Sequence, residues 1–401
     1  MMAFAGKKRR VLFIVENLPS PFDRRVWQEA TTLEEAGYEV SIICPTGKGF
    51  ERKFEVIDNI HIYRHSLPLE ADGAAGYALE YSAALFWEFY LAFKVLFTRG
   101  FDAIHACNPP DLIFIVGGFF RFFFGKKFLF DHHDINPELY EAKFNRRDLF
   151  YKIMLLCERL TFKTASVSIA TNESYKEVAI RRGGMPADRV HVVRSGPMLD
   201  RLRIVEPVHE LKKGRKYLVG YVGVMGKQEG IDYLLRAAKF LIKDKGREDI
   251  HFGLVGGGTE LENLEEYARN LGVADYVTFT GRVPDDELLA MLNTADVCVN
   301  PDVANEMNDK STMNKIMEYM ALAKPIVQFD LIEGKFSAGE SSLYAKRNDE
   351  EDFAEKILQL LGDPELRTTM GEFGRNRVIS QLEWSFEQPK LLDAYDQLFA
   401  S

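Results

Sequence analysis

The chain has 401 residues, of which 46% are hydrophobic and 28% are charged, a composition typical of folded proteins rather than disordered ones. Its formal net charge of −9 argues against a general nucleic-acid binder, which needs a basic face to displace phosphate counterions. The charge is uneven, because residues 1–195 carry 26 basic and 24 acidic side chains whereas residues 196–401 carry 25 and 36. This asymmetry suggests two parts, of which the N-terminal one tolerates an anionic ligand or surface better.

The cysteines and the N-terminus bear on the cellular compartment. Cys44, Cys107, Cys157 and Cys298 show no short Cys-x-x-Cys spacing, which predicts reduced thiols in a reducing compartment. The apolar run after the basic N-terminus is interrupted at residues 16–17 and has no small-residue cleavage site, so it predicts a first buried strand rather than a signal peptide. No stretch reaches the roughly 18 uninterrupted apolar residues of a spanning helix. We therefore expect a cytoplasmic protein.

Short apolar runs alternate with amphipathic segments along the whole chain, a pattern that predicts doubly wound α/β domains with parallel sheets. A helix is predicted at 23–36, with Gly37 ending it. The rhythm breaks in the Pro- and charge-rich segment 196–215, which predicts a linker between domains at 1–195 and 216–382. The predicted buried strands are 11–16, 38–45, 103–107, 127–134, 167–171 and 190–193, then 217–224, 251–258, 276–283, 297–302 and 325–330.

Two glycine-rich turns follow predicted strands, where ligands of open α/β sheets bind. In YVGVMGKQEGID, Gly223 and Gly226 precede a helix starting near Gly230, so backbone amides could hold a diphosphate and Lys227 could add charge. A tight turn with a solvated lysine is the alternative. In LVGGGTELENL, the run that starts at Gly256 lacks the G-x-G-x-x-G register, and no ribose-binding acid ends the next strand, which disfavours a nicotinamide enzyme.

The segment NDKSTMNKIMEYMALAKPIV (308–327) predicts a helix with a core-facing methionine stripe. Glu318 lies among its apolar residues and could accept two hydrogen bonds from a ribose diol, although a half-exposed surface carboxylate remains the alternative. Ser311 and Thr312 at the start of this helix could cap it or contact a phosphate.

The segment FDHHDINPELY (130–140) carries two adjacent histidines on a predicted strand. Neighbouring strand residues point to opposite faces, so His132 and His133 cannot aim at one metal ion. We expect one ring in the ligand cleft and the other in a core hydrogen bond. The sequence contains no Gly-x-Ser-x-Gly motif and therefore does not support a serine hydrolase.

The order and spacing of these segments resemble the family 4 glycosyltransferases of the GT-B fold, over essentially the whole chain. The resemblance implies two Rossmann-like doubly wound domains facing across a cleft, and a C-terminal helical segment, 383–401, that crosses back to the first domain. The segments that carry it are PFDRRVWQEATTLEEAGYEV, NPPD, HHD, GYVGVMGKQEG, TFTGRVPDDEL, STMNKIMEYMALAKPIV and EWSFEQPKLLDAYDQL.

The resemblance also assigns site roles residue by residue. Glu318 matches the second carboxylate of an E-x7-E motif, which binds the donor ribose, and His133 with Asp134 matches a His–Asp pair at the cleft edge whose histidine contacts the transferred sugar. The region of Gly226 and Lys227 matches the diphosphate site. The remaining expected residues are Gly223, Gly256, Arg282, Val283, Asp309, Ser311 and Thr312 for the donor, with Arg282 and Val283 in the loop that receives the base, and Arg24, Arg25 and Asn108 for the acceptor.

The chain departs from the family pattern at two places. Lys310, with Asp309 beside it, stands where the first E-x7-E glutamate is expected. Val224 (or Met225) and Glu229 replace the usual Arg and Lys of the diphosphate loop, which leaves Lys227 in a shifted place. One hypothesis is that Lys310 acts in the catalytic site and favours a sugar that carries a carboxylate, because a buried ammonium needs an anionic partner. The alternative is that Lys310 pairs with Asp309 or a phosphate.

The resemblance implies retaining transfer from a nucleotide-sugar, with UDP expected, to a lipid-linked or glycan acceptor in cell-surface polysaccharide or glycoconjugate synthesis. No metal, other cofactor or nucleic-acid partner is expected. The alternatives are a nucleotide-sugar epimerase of the same fold and a non-catalytic sugar-nucleotide-binding protein.

Two aromatic-rich segments, 77–97 and 112–130, distinguish the N-terminal half. Core packing is one explanation. Arg121, Lys126 and Lys127 alternate with phenylalanines there, a pattern that also suits a helix at a bilayer interface, so we expect peripheral contact with the inner face of the membrane.

Overall fold

The computed structural model describes residues 8–66, 73–109 and 111–400, and for residues 73–81 it describes the backbone only. The chain divides into two compact units, one formed by residues 1–195 with 387–401 and the other by residues 196–386. Each unit contains its own sheet and its own hydrophobic core.

The first unit contains an eight-stranded sheet whose central strands are buried on both faces, which explains why they read as continuous apolar runs. Its strands are β1 (Arg10–Ile14), β2 (Glu39–Pro45), β3 (Phe54–Ile57), β4 (Ile60–His65), β5 (Ala103–Cys107), β6 (Lys127–His132), β7 (Val167–Ala170) and β8 (Val190–Val192). They lie in the order β3-β4-β2-β1-β5-β6-β7-β8, and all neighbours are parallel except β3 and β4. The strand order reverses at β1, between β2 and β5, and a reversal of this kind opens a crevice at the carboxyl ends of parallel strands.

Among the described residues, six α-helices connect these strands. They are α1 (Arg24–Glu35), α2 (Gly73–Thr98), α3 (Ile113–Phe124), α4 (Asn136–Phe144), α5 (Leu149–Thr164) and α6 (Glu173–Arg181). Helix α1 matches its predicted range: the Asp23 carboxylate accepts a hydrogen bond from the Val26 amide at its start, and Gly37 follows its end at φ 92°. Helix α3 ends earlier than the predicted aromatic segment, because Gly125 adopts a left-handed conformation and Lys127 then begins β6.

The second unit contains a six-stranded, fully parallel sheet. Its strands are β9 (Tyr217–Val222), β10 (Ile250–Val255), β11 (Val277–Phe279), β12 (Val297–Asn300), β13 (Ile326–Phe329) and β14 (Ser342–Ala345), and its helices are α7 (Ile231–Lys239), α8 (Leu261–Asn270), α9 (Asp285–Thr294), α10 (Glu306–Lys310), α11 (Asn314–Ala321), α12 (Ile332–Ala338), α13 (Glu350–Gly362) and α14 (Pro364–Arg377). The order β11-β10-β9-β12-β13-β14 reverses at β9, so the turns after β9 and β12 flank the crevice of this sheet.

The segment 196–215 packs on the second unit, although its sequence predicts a linker. Leu202 is buried in the core of this unit, and the Val208 amide donates a hydrogen bond to Thr294 Oγ1 at 2.8 Å. Its apolar residues lack a helical or strand period, so the pattern alone does not reveal that they are buried. At the other end of the unit, the Trp384 amide donates to the Pro197 carbonyl, so residues 383–386 also belong here.

The C-terminal helix α15 (Gln388–Ala400) belongs to the first unit. Its buried Tyr395 hydroxyl lies 2.8 Å from His105 Nδ1 on β5, and Gln397 Oε1 lies 2.7 Å from His191 Nε2 on β8. These contacts join the end of the chain to the sheet of the N-terminal residues.

Three strands were not predicted from the sequence: β3, β4 and β14. The hairpin of β3 and β4 turns at Asp58 and Asn59, which both have positive φ values, and Asp-Asn is a recognisable hairpin signal. Strand β4 contains His61, Arg64 and His65, which obscure its apolar face. In the part of the chain that the structure describes, none of the helices is both long and apolar enough to cross a membrane.

Candidate functional site

Each unit places polar side chains at the carboxyl edge of its sheet.

In the first unit, β6 ends at His132 and is followed directly by His133 and Asp134. His132 is fully buried among the rings of Phe130, Phe162 and Tyr175, and burial lowers its pKa to about 3, so the ring is neutral. The His133 side chain points to the opposite face and keeps 14% of its surface exposed. The extended backbone therefore separates the two rings.

A buried acid on the same face as His133 holds that ring. Asp131 is fully buried, and its Oδ2 atom contacts His133 Nε2. The guanidinium of Arg25 on α1 binds both oxygens of Asp131, from Nη2 at 2.8 Å and from Nε at 3.1 Å. Arg25 also donates to the Val193 carbonyl at 2.8 Å. Although Arg25 is one of the expected acceptor-binding residues, its side chain faces this internal network, whereas Arg24 is exposed.

Two further buried groups complete this network. Arg25 Nη2 lies 3.0 Å from Glu29 Oε1, and His105 Nε2 lies 3.4 Å from Glu29 Oε2. Burial raises the pKa of Glu29 well above its usual value, and the positive charge of Arg25 only partly opposes this. The pKa of Asp131 is instead held well below its usual range, because Arg25 and His133 outweigh its burial. The surroundings therefore favour a charged Arg25 and an ionised Asp131, and they disfavour a charge on Glu29.

Asn108, at the end of β5, fixes the backbone of the His–Asp pair. Its Oδ1 accepts hydrogen bonds from the amides of His133 at 2.8 Å and Asp134 at 3.2 Å, and its Nδ2 donates to the Asp134 carbonyl at 2.5 Å. Burial raises the pKa of the Asp134 carboxyl. Asn108 is itself buried, and its contacts with the backbone of His133 and Asp134 position this pair. Pro110 of the NPPD motif lies outside the described residues.

Ligand atoms of His105, Cys107 and Asp131 lie within 4.8 Å of one another, as in a metal site. The groups do not fit a metal ion, because Arg25 already neutralises Asp131 and Tyr395 already binds His105. Burial also raises the pKa of the Cys107 thiol well above its usual value, which disfavours the thiolate that a metal requires. We interpret the cluster as a closed ion-pair network.

In the second unit, the glycine turns after β9 and β10 stack on each other. A Cβ atom at Gly256 would lie 1.8 Å from the Gly223 carbonyl oxygen, and Gly256 also has a φ of 137°. The Met225 amide donates to the Gly257 carbonyl across this contact. A short 3-10 turn, Lys227–Glu229, then leads through Gly230 at φ 62° into α7. Gly226 lies at the start of that turn, and Lys227 is exposed on it.

Glu318 on α11 is paired with an arginine from the segment 196–215. Arg201 Nη1 donates to Glu318 Oε1 at 3.1 Å, and the same guanidinium binds both oxygens of Asp285 at 2.6 and 3.1 Å. The Glu318 side chain is 15% exposed. The carboxylate therefore keeps access to solvent, but a ribose diol would have to share or replace its contact with Arg201.

One turn before Glu318 on the same helix, Lys315 forms a second charge cluster. Its Nζ atom lies 2.7 Å from Asp302 Oδ1 and 2.8 Å from Glu229 Oε2. Asp302 follows β12 and is fully buried, and burial raises its pKa to about 7. Burial opposes the charge on Lys315, but Asp302 and Glu229 outweigh it and raise the pKa of the lysine. This cluster joins the turn after β9 to the turn after β12 and to α11.

The segment 305–313 contains a short helix, α10, that the sequence did not predict, and the predicted helix that carries Glu318 begins after it. Helices α10 and α11 are separate, and Met313, not Ser311 or Thr312, is the residue at the start of α11. The expected capping role is therefore wrong for this helix, because Ser311 Oγ instead donates back to the Met307 carbonyl at 2.8 Å. The chain leaves α10 in an extended conformation at Ser311, which breaks the helical hydrogen-bond ladder.

Lys310 and Asp309 point to different partners. Lys310 is partly exposed and its Nζ donates to Glu306 Oε1 at 2.7 Å, so the premise of a buried ammonium does not hold. Asp309 accepts two hydrogen bonds of 2.7 Å from Arg347. After β11, Arg282 is exposed beside the Gly257 turn, and Val283 packs on the core of the unit.

Sequence reasoning missed several charged residues that organise these sites. Asp131, Glu29 and His105 lie inside apolar strand or helix patterns, and only their burial reveals their role. One sequence feature could have pointed to Lys315: Glu229 lies in a turn proposed to bind a diphosphate, and a carboxylate there requires a nearby cation. Arg201, Asp285 and Asp302 had no signal beyond their position near strand or helix ends.

Comparisons with known proteins agree with this architecture. The family model described as Glycosyltransferase Family 4 matches residues 23–201, and the model described as Glycosyl transferases group 1 matches residues 216–363. Among solved structures, sucrose-phosphate synthase from Thermosynechococcus elongatus has a TM-score of 0.79 at 21% identity and covers 98% of this chain and 100% of its own. Anabaena HepE, solved in complex with UDP and glucose, has a TM-score of 0.74 at 15% identity over 96% and 99%. These similarities show the fold.

The curated relatives are glycosyltransferases. The chain is 27% identical to the alpha-D-kanosaminyltransferase of Streptomyces kanamyceticus, over 52% of this chain and 54% of the relative. It is 26% identical to the capsular polysaccharide biosynthesis glycosyltransferase CapM of Staphylococcus aureus, over 58% and 63%. The chain thus spans about half the length of the curated relatives it matches. With two family models together matching most of its residues, the chain belongs to the group 1, family 4 glycosyltransferases and has the GT-B fold.

Proposed function

We propose that this protein transfers a sugar, with retention, from a nucleotide-sugar donor to a lipid-linked or glycan acceptor in cell-surface polysaccharide or glycoconjugate synthesis. The observation that carries the proposal lies in the second unit. There, the glycine turn after β9 and the helix that carries Glu318 meet at the point where the strand order reverses, joined by the Lys315–Glu229 ion pair. Open α/β sheets bind nucleotides at such a point. The names of the relatives support the proposal. The HepE structure contains UDP, which supports UDP-sugars as the first donors to test.

In the proposed donor site, Glu318 accepts hydrogen bonds from the ribose and exchanges its contact with Arg201 for them. The turn after β9, with Gly223, Gly226 and Lys227, receives the diphosphate, and Arg282 with Val283 lies next to the base. Charge develops on the diphosphate as it leaves the sugar, so fixed amides and cations placed there lower the barrier. Because these groups belong to the protein, the proposed reaction requires no metal or other cofactor.

In the first unit, His133 is the proposed contact for the transferred sugar, with Asp134 beside it. The ring needs a fixed orientation to act in a transition state, because small misplacements of reacting groups strongly slow a reaction. Asp131 and Asn108 provide that orientation from the buried side. Arg25 supports the ring through Asp131, and Arg24 remains exposed on α1 as the proposed acceptor contact.

The donor assay tests the function directly. Purified protein is incubated with UDP-, GDP- and ADP-sugars and a glycan or lipid-linked acceptor, and the products are weighed by mass spectrometry. Acceptor-dependent release of a nucleoside diphosphate with a glycosylated product supports the proposal. An epimerised nucleotide-sugar formed without acceptor identifies an epimerase instead, and binding without turnover identifies a non-catalytic protein.

Peripheral membrane contact is the second part of the proposal. Three helices of the first unit pack side by side and expose large apolar side chains, the most exposed being Phe122 on α3 at 87%, Phe97 on α2 at 78% and Leu149 on α5 at 71%. Basic residues lie among them, including Arg121 on α3 and Lys126 just after it. An apolar face with interspersed cations favours an anionic bilayer surface, where a lipid-linked acceptor would be reached.

Liposome flotation tests this contact. We expect the protein to float with anionic vesicles more than with zwitterionic ones, and the Phe122→Ser/Phe123→Ser variant to remain largely in the soluble fraction. Ile379→Ser, at a half-exposed position of the second unit, is the matched control and should float like wild type. Wild-type protein that stays in the soluble fraction with both vesicle types would refute membrane contact.

A further inference from the structure

The diphosphate turn of the second unit has the wrong charge for its proposed ligand. Glu229 and the half-exposed Val224 occupy the positions where basic residues were expected, and Lys227 is exposed at the surface of the turn. A diphosphate placed beside an ionised Glu229 would be repelled unless a cation separates them. The structure contains a cation at that place.

That cation is Lys315, and its position on α11 relates it to the ribose site. Residues three apart on a helix are neighbours on one face, with Cβ atoms about 5–6 Å apart, so Lys315 lies one turn from Glu318. A nucleoside diphosphate whose ribose binds Glu318 carries its first phosphate only one ester bond beyond the ribose. Lys315 Nζ lies 2.8 Å from Glu229 in the turn proposed for the diphosphate, so the ribose end and the phosphate end converge on one helix.

The ammonium has three donors, which are directed at a small set of neighbours. Glu229 and Asp302 accept two of them, and the Tyr221 hydroxyl also interacts with the ammonium, so a phosphate would share or replace one of these contacts. The aromatic ring of Tyr221 lies beneath the ammonium, with Nζ 5.0 Å from the ring centroid. The Lys315 side chain is 10% exposed, so it is held in place by its neighbours without being closed off from solvent.

We infer that Lys315 is the residue that binds the donor diphosphate, replacing the basic residues that the turn after β9 lacks, with Glu229 and Asp302 holding its ammonium in place before the donor enters. The inference rests on the proposed function. It adds a charged phosphate contact from a helix to the contacts proposed for the glycine turn. Glu229 then has a defined effect on affinity, since it competes with the diphosphate for the same ammonium.

Isothermal titration calorimetry with the full chain tests the inference by measuring nucleotide affinities. UDP, GDP and ADP are first titrated into wild type, and the tightest binder is carried forward together with its nucleoside. Lys315→Met should weaken the diphosphate by about tenfold or more while changing the nucleoside little, because a hydrogen bond to a charged group is lost only in the first case. Glu229→Gln should tighten the diphosphate severalfold. Lys245→Met, which removes an exposed lysine paired with Glu355, should leave both affinities unchanged.

Several outcomes separate the possibilities. If wild type binds none of the three nucleotides, the proposed function itself fails. If wild type binds but Lys315→Met weakens diphosphate and nucleoside equally, or if Lys227→Met alone carries the loss, Lys315 is structural and the inference is overturned. A weaker diphosphate in Glu229→Gln also overturns it. The double variant Lys315→Met/Glu229→Gln leaves fewer unpaired charges, so it should repeat the Lys315→Met result even if the single variant is poorly folded.

Discussion

Replacing Arg25 with methionine should destabilise the first unit strongly, because it removes the cation of a buried network. The guanidinium binds both oxygens of Asp131, one oxygen of Glu29 and the Val193 carbonyl. Both carboxyl groups have no exposed surface, so water cannot replace the lost contacts. Breaking a buried ion pair by removing one partner costs about 3–5 kcal/mol.

The free energy of protonating Asp131 has the same magnitude. Without Arg25, the least costly remedy inside the unit is a proton on Asp131. At pH 7 the solution is about three units above the ordinary aspartate pKa, and each unit corresponds to about 1.36 kcal/mol, so this proton costs about 4 kcal/mol. The His133 ring also contacts Asp131 Oδ2 and would remain its partner in the variant. The wild-type and Arg25→Met networks are therefore compared in a His133→Ala background, where that partner is removed.

The cost should depend on pH with a defined sign. In the native network the folded pKa of Asp131 is depressed, so its contribution to stability is present above its unfolded pKa and persists through pH 5–7. Without Arg25 the folded pKa of Asp131 rises, and the variant loses stability as pH increases above about 4. Glu29, whose pKa is raised by burial, contributes the same trend to both proteins. The difference in the free energy of unfolding between the protein with Arg25 and the Arg25→Met variant should thus shrink by about 2–3 kcal/mol from pH 7 to pH 5.

Urea unfolding can measure the stability lost in Arg25→Met in the first unit alone. In a Trp384→Phe background the remaining tryptophans, Trp27 and Trp87, both lie in residues 1–195, so their fluorescence reports on that unit. Arg147→Met, which breaks an exposed pair with Glu141, is the matched control and should cost less than about 1 kcal/mol. A cost for Arg25→Met below about 1 kcal/mol at pH 7, or an equal cost at pH 5 and pH 7, would refute the reasoning.

Four further substitutions address the proposed sites. His133→Ala should mainly lower kcat and Glu318→Ala should mainly weaken donor binding, and normal steady-state kinetics in both variants would show that the site is misplaced. Arg201→Met should tighten nucleotide binding up to about tenfold in calorimetry, since it removes the competitor for Glu318, and weaker binding would instead make Arg201 part of the nucleotide site. Gly256→Ala should destabilise the second unit by at least about 2 kcal/mol and abolish donor binding, because its Cβ would overlap the Gly223 carbonyl at a φ of 137°. Its control is Gly362→Ala, where a Cβ meets no neighbouring atom within 4 Å, and comparable stability of the two variants in thermal unfolding would count against a required glycine.

The sequence by itself determined the fold class. Strands buried on both faces must be continuously apolar, so β1, β5 and β6 were predicted at nearly their observed bounds. Strand-end residues such as Asn108, His133 and Gly223 were also predicted, because the ends of parallel strands share one edge of the sheet. These features depend on local pattern, which the chain carries without reference to its partners in space.

Tertiary structure alone decided which charges meet. Arg25 and Asp131 are 106 residues apart, Arg201 and Glu318 are 117 apart, and Lys315 and Glu229 are 86 apart. A charged residue in the sequence looks the same whether it faces water or a buried carboxylate, because the free energy of a charge depends on its surroundings rather than on its own pattern. For the same reason, segment 196–215 reads as a linker although Leu202 lies in a core, since the strands and helices that cover it come from distant parts of the chain.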